Sequence, residues 1–419
     1  MQPSRTTSAV VMLGVLFFLF GFITWINGPL ISYLKIICQL EAGAEPFYVT
    51  FAFYIAYFVT ALPMAAVLKR TGMKTGMMIG LLIMAAGALL FVPAAQQRSY
   101  PLFLAGLFVI GSGLSLLQTA SNPYITIVGP LESAAARISI MGICNKLAGV
   151  LAPFLIGAVL LSDADTLAQS LVGLEGNALD ARLDEIAARV VSPYLWMAGA
   201  LTLLAFGIRW SPLPEIDAEE AVQEGSAGST VLSAPNLVLG VVALFLYVGV
   251  EVMAGDTIGS YGEAQGMSLN DAKHLTSYTL VGMVIGYLVG IFAIPKYLDQ
   301  TTALKLSAWT GVALTCGVLV TEGMTSVLLV AALGLANALV WPAIWPLALQ
   351  GLGTHTKVAS ALLIMAIAGG AILPLIYGEL AALPAVGART AYALMLPAYL
   401  FIAWYAAVGS KWHRWGRTS

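Results

Sequence analysis

Gly28-Pro29-Leu30-Ile31-Ser32-Tyr33 closes one long apolar run, and Gly255-Asp256-Thr257-Ile258-Gly259-Ser260-Tyr261 closes another about half the chain later. Ala152-Pro153-Phe154-Leu155-Ile156-Gly157 is likewise echoed by Leu373-Pro374-Leu375-Ile376-Tyr377-Gly378, with the same spacing from Pro to Gly. Two halves of similar hydropathy, repeated in parallel order, predict a duplicated helical bundle in a membrane with its site between the repeats.

The composition agrees. Of 419 residues 59% are hydrophobic and 10% charged. Soluble domains carry about 25% charged residues, so most of this surface must face lipid. No basic stripe points to nucleic acid. Cys38, Cys144 and Cys316 are scattered, which implies neither a disulfide frame nor a zinc site. No cofactor or metal is expected. The apolar run from Ala9 has no small-residue cleavage site after it and reads as a first transmembrane helix.

A crossing helix needs about 20 mostly apolar residues. Twelve candidates satisfy this. The first six cover residues 9–34, 47–68, 75–95, 101–128, 138–161 and 192–210. The last six cover 235–260, 272–294, 303–321, 326–350, 358–381 and 388–409. The expected organisation is a six-helix bundle over 1–210, a linker over 211–234 and a second six-helix bundle over 235–419. The linker carries Asp217, Glu219, Glu220, Glu224 and a Gly/Ser stretch, a composition that cannot build a core. With both termini cytoplasmic, twelve loop Lys and Arg residues fall inside and six outside, as the positive-inside rule requires. In residues 162–191, Leu179, Leu183, Ile186 and Val190 share a helical face, predicting a short amphipathic cap at the outer surface.

Charges inside spans are costly and usually face a cavity or a partner. Glu251 sits inside the seventh span and Lys146 in the fifth. Asp256, further along the seventh, reads as an anchor at a helix end. Glu251 is the candidate coupling carboxylate; its alternative is a structural partner for Lys146 or for backbone groups. Gln118 and Asn122 share a face of the fourth span, with Pro123 freeing a backbone carbonyl beside them. In the tenth span Asn337, Trp341 and Trp345 recur every four residues, with Pro342 and Pro346 following the tryptophans. Amides beside indoles suit a sugar, whose hydroxyls need polar partners and whose C–H face packs on an aromatic ring. Asn27 and Asn145 add further amides; for any one amide the alternative is interhelical hydrogen bonding. Gly282, Gly286 and Gly290 form a small-residue stripe that permits close helix approach.

The run Phe17-Phe18-Leu19-Phe20-Gly21-Phe22-Ile23-Thr24-Trp25-Ile26-Asn27 resembles the first helix of the fucose–proton symporter family, within the major facilitator superfamily. Leu117-Gln118-Thr119-Ala120-Ser121-Asn122-Pro123-Tyr124 is similar to its fourth-helix motif, and Asn145 matches an asparagine of its fifth. The pattern is nearer to the glucose/galactose transporters of that family, since Gln118 stands where fucose carriers have Glu. The family commonly has Asp directly after the first-helix Asn; this chain has Gly28. Both positions that the resemblance ties to protonation are therefore neutral. Lys69-Arg70-Thr71-Gly72-Met73-Lys74 resembles the superfamily's basic loop between helices two and three but lacks its Asp.

The resemblance implies the twelve-helix major facilitator fold, all-α and in two six-helix halves. It also implies import of a hexose across a bacterial inner membrane by alternating access, by a monomer coupled to H+ or Na+. The sugar is expected between Asn27, Gln118, Asn122, Asn145 and Lys146 of one half and Glu251, Asn337, Trp341 and Trp345 of the other. A facilitator, or an efflux carrier for another polar or amphipathic solute, is the alternative. An intramembrane enzyme is disfavoured, because no HExxH, paired carboxylates at helical spacing or Ser/His set lies within the spans.

Overall fold

Backbone polar groups in lipid must be satisfied within a segment, so apolar runs of this length become helices. The computed structural model describes residues 3–41, 43–127, 134–211, 234–294, 297–352, 356–413 and 415. The first half comprises α1 (Pro3–Thr24), α2 (Asn27–Ile37), α3 (Tyr48–Leu89), α4 (Tyr100–Ile127) and α5 (Ala134–Leu160), then two short helices, α6 (Ala164–Leu171) and α7 (Gly176–Ala188), and α8 (Val191–Trp210). The second half comprises α9 (Pro235–Asp256), α10 (Ile258–Ala264), α11 (Leu275–Ala293), α12 (Gln300–Val320), α13 (Gly323–Asn337), α14 (Val340–Leu349), α15 (Thr356–Met365), α16 (Gly369–Ala382) and α17 (Met395–Ala407).

Among the described residues, 11 helical segments are long and apolar enough to cross a membrane. One of them, Glu45–Gln96, runs to 52 residues and contains two of the predicted spans, which accounts for the twelfth crossing. The join is at Gly72, whose φ of 75° breaks the helix inside α3. A residue with a Cβ is strained there, so the glycine permits the reversal. Exposed Trp196, Leu203, Trp210 and Phe292 face outward, where lipid belongs.

Several crossings are broken, and prolines explain two of the breaks. Pro29 cannot donate to the Trp25 carbonyl, and the first crossing is interrupted between α1 and α2. Pro342 likewise cannot donate to Ala338, and α13 stops at Asn337 before α14 begins. The seventh crossing is interrupted at Thr257, at the echo of the α2 sequence.

The small-residue stripe of α11 packs within its own half. A Cβ on Gly286 would lie 2.5 Å from the Ala338 Cβ, and one on Gly290 would strike Leu339. The seam between halves uses different glycines, two of them on α5. A Cβ on Gly142 would meet the Tyr287 ring at 3.4 Å, and one on Gly157 the Lys273 carbonyl at 3.4 Å. The predicted amphipathic cap is α7, with Leu183 and Ile186 buried, and Val190 just beyond it is buried too. The Tyr33 hydroxyl holds it by donating to the carbonyls of Ile186 (2.8 Å) and Ala187 (3.0 Å). Most of the expected linker, residues 212–233, lies outside the described residues.

Candidate functional site

The two embedded charges find each other. Lys146 on α5 donates through Nζ to Glu251 Oε1 on α9 at 2.8 Å, joining the two halves. Each residue is 8% exposed. The Lys146 ammonium also lies 5.0 Å from the centroid of the Trp25 ring, a cation–π distance. Trp25 sits at the proline-induced break between α1 and α2. Its ring fills the space that a side chain on Gly149 of α5 or Gly255 of α9 would need. The ion pair is therefore flanked by a rigid aromatic wedge between the halves.

The aromatic stripe extends from the same helix. Tyr247, one turn before Glu251 on α9, places its ring 6.5 Å from Trp341, and Trp341 stacks on Trp345 at 5.4 Å and 23°. Both tryptophans are half-buried. On the other half, the amide nitrogen of Gln118 donates to the Tyr57 hydroxyl at 3.1 Å. Tyr57 stacks on Tyr54, and Tyr54 packs where a Cβ on Gly370 of α16 would lie 3.1 Å from its ring. Asn122 is half-buried, four residues on from Gln118.

The other amides are committed to packing or fully enclosed. Asn145 Nδ2 donates to the Phe17 carbonyl at 3.3 Å, bracing α5 against α1. Asn337 Oδ1 accepts from the Tyr399 hydroxyl at 2.9 Å, bracing α13 against α17. Asn27 is fully buried, and neither of its amide atoms has a partner among the described residues.

Among the described residues, five side-chain hydrogen bonds join the halves. They are Lys146–Glu251, Ser277 to the Val150 carbonyl, Thr50–Asp256, Ser32–Glu263 and Lys273 to the Leu161 carbonyl. All lie at the level of the ion pair or towards the end away from residues 211 and 234, the far end. Lys273 is buried, and its ammonium caps the C-terminus of α5, where the helix dipole is negative. Asp256, read as a helix-end anchor, is the last residue of α9 but is 1% exposed. Its Oδ2 accepts from the Thr50 hydroxyl at 3.3 Å, and its Oδ1 has no partner among the described residues.

Sequence reasoning missed Trp25, Tyr57, Tyr247 and Tyr399. Tyr247 carried a signal, since it lies four residues before Glu251 on one helix face. Tyr57 and Tyr399 carried none, because their partners are 61 and 62 residues away.

The sequence model of the Major Facilitator Superfamily matches residues 13–374. A glucose/galactose transporter of Brucella abortus biovar 1 is 37% identical over 96% of this chain and 94% of its own length. An L-fucose-proton symporter of Haemophilus influenzae is 28% identical, covering 94% of each chain. The crystal structure of the Major Facilitator Superfamily transporter FucP in the outward conformation superposes with a TM-score of 0.76 at 25% identity, over 96% of this chain and 99% of that one.

Proposed function

The chain belongs to the Major Facilitator Superfamily, and on that premise we propose that it imports a hexose of the glucose/galactose class in symport with protons, by alternating access. The observation that carries this reading is the Lys146–Glu251 pair, which bridges the halves beside the Trp25 ring. A sugar hydroxyl can donate to a carboxylate and accept from an ammonium, so a sugar entering here competes with the pair for both partners. Tyr247, Trp341 and Trp345 supply the apolar face that a pyranose packs on, and Gln118 and Asn122 supply amides from the first half.

Coupling follows from the same pair. Protonating Glu251 removes the charge that holds Lys146, and the Trp25 face supports the released ammonium. Proton binding and separation of the pair are then linked, and sugar binding favours the separated form. Asn145 and Asn337 set the helices that present these groups, and Asn27 lies behind the Trp25 break.

The division at 211–234 fits the same reading, with residues 1–210 and 235–419 rocking about the central site. Both termini lie on the cytoplasmic side of a bacterial inner membrane, and the monomer is the working unit. The test is counterflow of labelled sugars in proteoliposomes, with and without pH and sodium gradients. Saturable exchange of a hexose, dependent on pH and indifferent to sodium, supports the proposal. Absence of saturable flux across a panel of hexoses, pentoses and amino sugars overturns it.

A further inference from the structure

We propose that Asp256 is a protonation site in its own right: it takes up one proton as the two halves close at the far end, and returns it when they part. For its meaning in transport this rests on the symport reading above.

The geometry is that of an acid without a base. Asp256 is 1% exposed and lies where α9 of one half meets α3 of the other. Glu251 on the same helix has Lys146 for a partner, whereas Asp256 has no ion pair among the described residues. The groups facing it are few. Thr50 and Tyr54 come from α3, and the Tyr54 hydroxyl is itself buried without a partner among the described residues. From α11, Thr276 and Thr279 donate to the neighbouring carbonyls of Gly255 and Ala254. From α2 and the break before it come Trp25, against Gly255, and Gly28, against Thr276. Glu251 adds a like charge; Lys273 is spent on the Leu161 carbonyl and Glu263 on Ser32.

A bare carboxylate enclosed in this way, with one hydroxyl to solvate it, is costly, whereas the neutral acid is not. With the proton on Oδ2, the 3.3 Å contact runs the other way, the acid donating to Thr50 Oγ1. The step is proton transfer alone: hydronium gives its proton to the carboxylate, leaving water and a neutral acid. Parting of α3 from α9 admits water, and the carboxylate is stable again. Position 28 of the first half has no room for an acid either, because a Cβ on Gly28 would strike the Thr276 hydroxyl.

The test reads closure directly and uses no sugar. In the full chain with Cys38, Cys144 and Cys316 replaced by Ser, Ser277→Cys places a thiol in the closed seam, where Ser277 now donates to the Val150 carbonyl. The rate of maleimide labelling of detergent-solubilised protein is divided by the rate in the same protein carrying Asp256→Asn, which cancels the thiol's own titration. The proposal predicts a ratio that climbs with pH, by up to about tenfold per pH unit, since one proton is linked to closure. Asp256→Glu keeps the climb, and a Glu251→Gln background leaves it in place. A ratio flat from about pH 5 to about pH 9 overturns the proposal. Should Asp256→Asn fail to fold, normalising the rate to the unfolded parent reads the same slope. Hexose counterflow in the parent is a separate readout: a flat ratio with counterflow intact sinks the Asp256 site alone, while a climb without counterflow sinks the sugar reading alone.

Discussion

At the scale of single residues, the two halves are joined by a charge pair whose members stand out in the sequence as charges inside apolar runs. Lys146 and Glu251 lie 105 residues apart and meet across the two halves. Removing one member of such a buried pair leaves the other uncompensated, at a cost of about 3 kcal/mol or more. Lys146→Met is therefore expected to lower the thermal midpoint markedly, while the double variant Lys146→Met/Glu251→Gln recovers most of the loss. Thermal unfolding of the parent and the two variants in detergent checks this; equal destabilisation of single and double variants would contradict a direct pairing. The individual charges were legible, because any charge inside an apolar run is conspicuous. Their pairing could be raised from the sequence only as one alternative, since nothing local encodes which helix faces which; the structure makes it a contact of 2.8 Å. Trp25 was hidden for the same reason: it looks like one more aromatic in an apolar run until Gly149 and Gly255 are seen to make room for its ring.

At the scale of elements, the cap at the far end has its own electrostatics. Arg189, just beyond α7, grips Asp163 with its guanidinium, and Arg182 reaches the same carboxylate at 3.3 Å. The Arg189 hydrogen bonds hold Asp163 below the ordinary carboxylate range, at about 2. A group whose folded pKa is depressed stabilises above its unfolded value and loses that contribution as pH falls through the folded one. The clamp is thus fully present at neutral pH and is released only below about pH 4, down towards pH 2. Asp163→Ala should cost about 1 kcal/mol or less at neutral pH, the pair being partly exposed, and abolish that acid-side dependence. Limited proteolysis of the 162–191 segment against pH reads both effects; identical profiles for parent and variant would contradict the assignment. The cap itself was legible from the spacing of Leu179, Leu183, Ile186 and Val190. The split into α6 and α7 and the anchoring by Tyr33 were not, because they depend on contacts with distant helices.

At the scale of the whole molecule, the bilayer makes the architecture readable. Lipid demands that each crossing satisfy its own backbone, so the spans are written as long apolar runs and their existence follows from the residues. Where the structure differs, the cause is local. Gly72 lets two crossings join without an intervening loop, and Pro29 and Pro342 interrupt others where a carbonyl loses its donor. What hydropathy cannot convey is which faces meet between the halves. Gly142 and Gly157 of α5 lie at that seam, as do Gly28, Gly255 and Gly370, whereas the more conspicuous stripe of Gly282, Gly286 and Gly290 packs inside one half. The acids lie on the second half: Gly28 and Gln118 are neutral, and α9 carries both Glu251 and Asp256. Under the proposed symport reading, proton handling falls to α9. This is tested most directly by hexose uptake into proteoliposomes under an imposed pH gradient, comparing the parent with Glu251→Gln. The account predicts accumulation above equilibrium in the parent, and in the variant counterflow that survives without accumulation. Accumulation by the variant equal to that of the parent would contradict it.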